Sequence, residues 1–409
     1  MRVLIYTKAF APMVGGVETY VMLLASGLVQ KTSRKVEDQV DVTVVTTVQA
    51  ASFDDSALAF RVLRRPSFGI LVRLIREADV VHLAGPCFVP MLLGLFLRKK
   101  VVVEHHGYQA ACPNGLLFFE PKKEGCPGYF MARRYDQCLK CNAQTFGWLA
   151  SAWMLFVTFP RRFLCQHVST NVPITNHVLQ RLRLRNSRVI YYGVPESRAS
   201  GSVNEATTAG GLPAVCFAYV GRLVKEKGPK LVLEAVARLR TNRVRLRIKF
   251  IGDGPERLDL ERTTAASGLQ DCVTFTGFLE GDSLIDALHE VTAIIMPSLM
   301  EETAGLAALE QMMRGRLVIA SDVGGLGEIV DGVGLKFSPG DVGGLVQCLR
   351  RVLDEPSLVA ELGRAARQRA LQMFGQQRMV EVSHGLYGHL LGKVGEFGQD
   401  EGASSKQLL

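Results

Sequence analysis

The chain has 409 residues, of which 48% are hydrophobic and 21% charged, a globular composition long enough for about two domains with separate cores. Its net charge of +9 is uneven, because residues 1–200 contain 25 Lys and Arg against 13 Asp and Glu, whereas the rest contain 23 against 26. The basic first half favours an anionic partner such as a membrane surface or a phosphorylated acceptor, and the lack of a recognition motif argues against nucleic acid.

The start of the chain and its apolar segments bear on localisation. Met1 leads directly into a strand-like segment at 3–7 instead of a secretory signal, and the longest apolar stretches, 83–97 and 147–159, are shorter than a membrane span. We therefore predict a cytoplasmic protein that contacts a membrane at most peripherally. Its nine cysteines are then expected to be thiols or metal ligands.

Strand-like apolar runs alternate with helical patterns in two successive sets. The first set has predicted strands at 3–7, 41–47, 79–83, 101–106 and 187–193, with helices near 17–28 and 71–78. The second set has predicted strands at 214–221, 246–252, 272–277, 292–297 and 316–321, with helices near 228–240, 255–267, 282–289, 305–314 and 341–353. This alternation predicts two parallel sheets, each doubly wound in the Rossmann manner.

A segment rich in Ser, Gly, Ala and Thr, 196–213, separates the two sets and reads as a linker. It divides the chain into an N-terminal Rossmann-like domain, 1–196, with an insert at 107–165, and a C-terminal Rossmann-like domain, 213–375. Helical patterns follow at 356–374 and 376–391, and the polar composition of 392–409 predicts a disordered tail.

Two carboxylates lie around the start of a helix in the second set. Glu302 precedes the predicted helix 305–314 and Glu310 lies eight residues further on, inside it. At about 100° per residue both can face one groove. The helix start, Ala304 to Leu306 with Gly305 between them, presents unpaired N–H groups that suit a phosphate.

A basic turn, GRLVKEKG at 221–228, follows the first strand of the second domain. Arg222 and Lys227 then lie beyond the carboxyl end of a parallel strand, where open α/β sheets bind ligands. Two cations at such a place can neutralise a diphosphate.

These two segments together resemble those of the family-4 retaining glycosyltransferases, which have a GR-xxx-EKG turn and a PS-xx-E-xx-G-xxxx-E segment. The resemblance implies a GT-B fold, in which two Rossmann-like domains face a central cleft and the last helix, 376–391, packs back on the first domain. It also implies a nucleoside-diphosphate sugar as donor, with Arg222 and Lys227 on the diphosphate. Backbone groups near Gly277 and Phe278 would contact the base.

The first domain offers its own candidates. Gly15 and Gly16 open a helix after the first strand, where they can let the backbone approach the sugar and its phosphates, or form a plain turn. HHG at 105–107 ends another strand, and the family places a histidine near the sugar there. His106, next to the glycine, fits that role, and His105 is expected to be structural.

The resemblance implies retention of anomeric configuration, with Glu302 on sugar hydroxyls and Glu310 on the ribose. No Asp-x-Asp metal signature occurs in the chain, so we expect a metal-independent reaction in which Arg222, Lys227 and the helix start stabilise the departing diphosphate. The acceptor would be a glycolipid, a lipid-linked saccharide or a polysaccharide. The chain departs from the family pattern at Tyr192, Ala304, Gln311 and Leu317. Pro297 and Ser298 also lie one residue further from Glu302 than in the family, so Glu301 competes for the first acidic role, although the spacing to Gly305 and Glu310 favours Glu302.

Three other functions were considered. A nucleotide-sugar epimerase or hydrolase could share the fold, and so could a non-catalytic sugar-nucleotide-binding subunit, although the set of Arg222, Lys227, Glu302 and Glu310 favours an enzyme. A nicotinamide dehydrogenase is excluded, because Gly15 and Gly16 do not extend to GxGxxG.

Two features of the insert remain. Cys112, Cys126, Cys138 and Cys141 follow a C-x13-C-x11-C-x2-C spacing, which fits either loop thiols or a structural zinc site. The apolar segment 147–164 contains both tryptophans and is interpreted first as a core helix. The alternative is an interfacial segment that brings the site to an anionic membrane through Arg161 and Arg162.

Overall fold

A computed structural model describes residues 1–32, 39–51, 53–196, 215–240 and 246–393. The chain forms two compact units. The first unit comprises 1–117, 127–193 and the chain from 375 onward, and the second comprises 118–126 and 194–374. Most of the predicted linker, and the predicted tail beyond residue 393, lie outside the described residues.

The first 196 residues contain most of the first unit. Their strands are β1 Arg2–Thr7, β2 Asp41–Thr46, β3 Arg61–Arg64, β4 Val80–Leu83, β5 Lys100–His105, β6 Phe118–Phe119, β7 Glu124–Gly125 and β8 Thr170–Pro173. Their helices are α1 Gly16–Thr32, α2 Phe68–Glu77, α3 Phe88–Phe96, α4 Tyr135–Phe146, α5 Trp148–Cys165 and α6 Asn176–Leu182.

The remaining elements form the second unit, apart from the last helix. The strands are β9 Val215–Val220, β10 Leu246–Ile251, β11 Val273–Gly277, β12 Ala293–Met296, β13 Leu317–Ser321 and β14 Leu335–Phe337. The helices are α7 Pro229–Leu239, α8 Arg257–Ala266, α9 Gly281–Leu288, α10 Leu306–Met313, α11 Gly324–Val330, α12 Val342–Asp354, α13 Pro356–Met373 and α14 Gln376–Leu390.

Both units contain a parallel six-stranded sheet of the doubly wound type, which confirms the predicted fold class. The strand order is β3-β2-β1-β4-β5-β8 in the first unit and β11-β10-β9-β12-β13-β14 in the second. In each sheet the chain first winds to one side and then to the other, so the order reverses between β1 and β4 and between β9 and β12. Ligands of such sheets bind beyond the carboxyl ends of the strands at this reversal.

The central strands form because their side chains are buried on both faces. In β12 and β13 every residue is buried, as expected for central strands of a parallel sheet covered by helices. Their apolar side chains belong to a core that continues through α7 and α12. This rigid layer fixes the positions of the loops that follow β9 and β12.

The last helix, α14, packs on α1 within the first unit. A Cβ at Gly27 of α1 would overlap the side chain of Val380, so the absence of a side chain there lets the helices approach closely. Gln376 Nε2 donates to the Leu23 carbonyl at 3.0 Å.

Some predicted elements differ from the structure. The predicted strand 187–193 contributes only an isolated bridge, between Ser187 and Asn171, and the edge strand of the sheet is instead β8, TNVP. Its Asn and Pro are poor strand formers, so the pattern concealed it. The edge strands β3 and β14 and the helix α3 were not predicted either.

The apolar segment 147–164 is not a core helix. It forms α5, whose buried residues are Ser151, Thr158, Leu164 and Cys165, while Trp148, Leu149, Trp153, Phe156 and Phe163 are exposed. Among the described residues, no helix combines the length and hydropathy needed to cross a membrane.

Candidate active site

The basic turn of the second unit is built at the reversal point of its sheet. It follows β9, and Lys225–Lys227 form a short 3-10 helix. Tyr219, at the end of β9, donates its hydroxyl to the Arg222 carbonyl at 2.6 Å, which fixes the backbone of the turn and leaves the Arg222 side chain exposed. Burial, together with the charges of Glu302 and Glu226, raises the pKa of Tyr219, so it remains a neutral donor.

The acidic segment after β12 is attached to this turn by its backbone. The carbonyl of Glu226 accepts hydrogen bonds from Leu299 N at 2.9 Å and Met300 N at 3.2 Å. Gly228 ends the turn with φ +65°, and a Cβ there would overlap the carbonyl oxygen of Pro297. The two segments therefore lie against each other because position 228 has no side chain.

Lys227 and Glu302 meet at this junction. Lys227 Nζ lies 3.2 Å from Glu302 Oε1, with 25% and 12% of their side chains exposed. Ser298 Oγ also donates to Glu302 Oε1, at 3.3 Å. A phosphate bound by Lys227 would consequently lie beside a carboxylate oriented to accept hydroxyl hydrogens.

The helix predicted to bind the diphosphate begins at this site. α10 starts after Gly305, which has φ +71°, and Ala304 is buried. The N-cap residue, Gly305, makes no side-chain capping bond, so the helix start presents backbone N–H groups with partial positive charge to a ligand. The Glu302 carbonyl accepts from Gly325 N at 2.7 Å, and this bond fixes the backbone that carries the carboxylate.

Glu310 lies in the second turn of α10 and is half-buried. The next residue, Gln311, departs from the family pattern, and its contacts explain why a glutamine lies there. Gln311 is buried, and its Oε1 accepts from Arg316 Nη1 at 3.1 Å, while Arg316 Nη2 donates to the Leu288 carbonyl at 2.8 Å. Burial, followed by the charge of Arg314, lowers the pKa of Arg316 to about 10.

Gly277 and Phe278 lie at the end of β11, two strands away from β9. The Gly277 carbonyl already accepts from Gly252 N at 2.8 Å and from Thr276 Oγ1 at 3.0 Å. Because a carbonyl has two lone pairs, we do not expect this oxygen to accept from a base. The Phe278 ring is exposed and remains available for stacking.

The candidates of the first unit lie around Tyr192. A Cβ at Gly16 would lie 3.9 Å from the Tyr192 hydroxyl, and the His106 ring centroid is 6.3 Å from that of Tyr192. Gly15 begins the same helix, where its carbonyl accepts from Thr19 N. The structure thus brings Gly15, Gly16 and His106 into one neighbourhood of the first unit.

The two adjacent histidines have different surroundings. His105 is fully buried and its Nε2 lies 2.9 Å from Asn171 Oδ1. Burial lowers the pKa of His105 to about 4, so the ring is neutral at pH 7. His106 Nε2 lies 3.5 Å from the carboxylate of Glu104, which makes it the one oriented by a charge.

Glu104 belongs to a buried polar chain that the sequence analysis missed. Its Oε2 lies 3.1 Å from His82 Nε2, and His82 Nδ1 lies 2.8 Å from the hydroxyl of Tyr387 on α14. Burial would raise the pKa of Glu104, but the charge of His106 and the hydrogen bond from His82 lower it to about 2. The sequence contained one signal of this polar chain, which is the charged Glu104 inside the apolar strand VVVEHH.

The four cysteines of the insert, for which the sequence left loop thiols and a structural zinc site open, are all buried. Across the described part of the chain no three His, Cys, Asp or Glu residues are arranged to hold a metal ion. Cys126 falls in the second unit and the other three in the first. The structural zinc site therefore stays a prediction.

Comparison with solved structures identifies the class of the fold. The chain is similar to Anabaena HepE in complex with UDP-glucose, with a TM-score of 0.68 over 96% of this chain and all of that one at 16% identity. It is also similar to WaaG, a glycosyltransferase involved in lipopolysaccharide biosynthesis, with a TM-score of 0.64 over 94% of this chain and 99% of that one at 16% identity. The fold is GT-B, as predicted.

Sequence comparison finds relatives for part of the chain. Residues 213–369, which lie in the second unit, match the model of the "Glycosyl transferases group 1". The 2-deoxystreptamine glucosyltransferase of Streptomyces kanamyceticus is 37% identical over 177 residues, which are 43% of this chain and 46% of the relative. A glycogen synthase of Mycobacterium tuberculosis is 34% identical over 180 residues, or 44% and 43%. The chain thus spans less than half the length of these relatives.

Proposed function

We propose that the protein is a retaining glycosyltransferase that moves a sugar from a nucleoside-diphosphate sugar to a hydroxyl group. One observation carries the proposal: Lys227 and Glu302 lie 3.2 Å apart next to the start of α10. A cation, an acceptor for hydroxyl hydrogens and a helix N-terminus are the groups that a sugar diphosphate requires. The match of 213–369 to the group 1 glycosyl transferases supports the same class.

The proposed roles follow from position. Arg222, Lys227 and the backbone at 304–306 stabilise the negative charge that develops on the departing diphosphate. Glu302 accepts from sugar hydroxyls and Glu310 from the ribose. Because positive charge is supplied by side chains and a helix dipole, we propose that transfer requires no metal ion or other cofactor.

His106 is proposed to contact the sugar from the first unit. The buried carboxylate of Glu104 orients its ring, so Glu104 acts as a positioning residue. Gly15 and Gly16 allow the backbone to approach the donor at the start of α1.

The acceptor is proposed to be a glycolipid, a lipid-linked saccharide or a polysaccharide, reached at the cytoplasmic face of an anionic membrane. The basic first half of the chain and the exposed aromatic residues of α5 support a membrane-bound acceptor.

A thermal-shift panel of UDP, GDP, ADP and their sugars tests donor binding. A ligand at 100 times its Kd stabilises the folded protein by about 2.7 kcal/mol, so the matching nucleotide should raise the Tm of the wild type. Lys227→Ala should lose most of that shift. Lys225→Ala is the matched control, because Lys225 lies in the same turn but is exposed and near Glu256 instead, at 3.9 Å.

Equal stabilisation of wild type and Lys227→Ala would refute the diphosphate assignment. Incubation of the stabilising sugar nucleotide with a panel of acceptors then distinguishes the functions. Glycosylated product with retained configuration supports the proposal, whereas acceptor-independent turnover identifies an epimerase or hydrolase. Binding without any turnover identifies a non-catalytic subunit.

A further inference from the structure

Helix α5 is packed with its apolar side outward. Ser151, Thr158 and Cys165 face the protein, and the Ser151 hydroxyl donates to the Leu139 carbonyl at 2.8 Å. The exposed side carries large apolar residues, which define what we call the aromatic face: Trp148, Leu149, Trp153, Phe156 and Phe163.

The aromatic face is a continuous stripe along α5. At about 100° per residue its five members fall within an arc of roughly 140°. The three small buried residues fall within about 40° on the opposite side. Leu149 is 90% exposed and both tryptophans are 64% exposed. Patches of this kind on a soluble domain mark a binding surface.

The arginines of α5 do not belong to this surface. Arg161 Nη1 donates to the Gln109 carbonyl at 3.2 Å, and Arg162 Nη1 donates to the Leu182 carbonyl at 2.8 Å. Burial lowers the pKa of both guanidinium groups. The sequence-based expectation that these two arginines contact an anionic membrane is therefore wrong, because they fasten the helix to neighbouring loops.

A second helix extends the apolar surface. α3 contacts α5, and the crossovers that contain α2, α3 and α5 all run in the same direction along the sheet. Since such crossovers are right-handed, these helices cover the same face of the sheet. α3 exposes Phe88, Val89, Leu92 and Phe96.

The charge around this surface selects its partner. Residues 68–100 and 129–167, which contain α2 to α5, carry eight Lys and Arg besides Arg161 and Arg162, against three Asp and Glu. α3 and α5 themselves contain no acidic residue. Exposed Trp and Phe surrounded by basic residues are the groups by which helices bind the interface of an anionic bilayer.

We propose that the aromatic face binds the surface of an anionic lipid bilayer, with α5 lying in the interface and basic residues of the flanking segments contacting headgroup phosphates. This deepens the proposed membrane-bound acceptor, but lipid binding does not depend on sugar transfer. The rings enter the bilayer interface while the sheet behind α5 stays outside it.

The chain contains its own reporter for this proposal. Its only two tryptophans, Trp148 and Trp153, both lie on the aromatic face. The full chain is titrated with phosphatidylcholine vesicles that contain none or a third phosphatidylglycerol, and tryptophan emission is recorded. We expect a blue shift with the anionic vesicles, quenching by brominated lipid chains, and weaker binding at high salt.

A variant that keeps the reporter tests the face directly. Phe156→Ser with Phe163→Ser should weaken vesicle binding about tenfold or more, equivalent to at least about 1.4 kcal/mol. The matched control is Leu258→Ser with Ile285→Ser, which removes two exposed apolar residues of the second unit and should leave binding unchanged.

Each alternative result overturns the proposal in a distinct way. Equal binding to neutral and anionic vesicles would show that charge plays no role in binding. No spectral change with any vesicle would show that the aromatic face does not bind a membrane. A blue shift without lipid, together with dimers in sedimentation, would assign the face to a second copy of the chain. The nucleotide thermal shift, measured without vesicles, reports independently on the proposed function.

Discussion

Replacing Glu104 by glutamine tests whether the buried polar chain of the first unit contains an ionised carboxylate. The folded pKa of Glu104 is about 2, against a model value of 4.5. Because one pKa unit corresponds to 1.36 kcal/mol, this difference stabilises the folded state by about 3 kcal/mol at neutral pH.

The sign of the pH dependence follows from the direction of the shift. Since the folded pKa is depressed, the stabilisation is complete above the unfolded pKa of 4.5 and is lost as the pH falls towards about 2. Glu104→Gln should therefore lower the free energy of unfolding by about 3 kcal/mol at pH 7. Near pH 3 the difference between wild type and variant should be about half as large.

Urea unfolding followed by tryptophan fluorescence measures this, because both tryptophans lie in the first unit. Glu77→Gln is the control, since Glu77 is half exposed and pairs with Arg73 on the helix surface at 3.4 Å. Its cost should stay below about 0.5 kcal/mol. Equal stability of Glu104→Gln and wild type at pH 7, or a difference that does not change between pH 7 and 3, would refute the reasoning.

Three further predictions concern the second unit. Gly228→Ala should lower the free energy of unfolding by more than about 2 kcal/mol and abolish the nucleotide-induced Tm shift, because position 228 combines φ +65° with close packing. The control Gly281→Ala, at φ +55° with no atom nearby, should lower it by only about 1 kcal/mol. Equal losses of stability in urea unfolding would contradict this prediction. Gln311→Ala should lower the free energy of unfolding by about 2 kcal/mol, because it removes a hydrogen-bond acceptor from buried Arg316. Adding Arg316→Leu should restore part of this stability. If the effects of the two substitutions on stability simply add, the two side chains are not coupled. Chelation of divalent ions should leave the transfer rate within about twofold, and a tenfold loss would show that electrostatic stabilisation by side chains is insufficient.

The sequence predicted the architecture where local pattern and burial agree. Central strands such as Ala293–Met296 are entirely apolar and therefore recognisable. The edge strand Thr170–Pro173 is not, because its pairing with β5 is imposed by the neighbouring strand and not by its own residues. The apolar segment 147–164 was wrongly predicted to be a core helix for a related reason. Its composition shows that it is apolar, but not whether its side chains face the protein or the surface.

The candidate site was predicted in part. Charged residues and glycines that follow predicted strands indicated the turn at 221–228 and Glu302. The structure places Lys227 and Glu302 in contact. The chain from Glu104 through His82 to Tyr387 could not be predicted, because residues 82 and 387 are 305 positions apart. Their contact depends on tertiary packing.

The path of the chain between the units has a consequence for modular exchange. Val194 N donates to the Phe374 carbonyl at 2.7 Å, and Gly193 lies against Gln376, so the chain leaves the first unit and returns to it at adjacent points. Apart from the hairpin 118–126, the second unit is thus an insertion between a loop and α14 of the first. Segment 194–374 could be replaced by its counterpart from a relative without altering how α14 packs on α1, and recombination at these two positions would combine one first unit with many different second units.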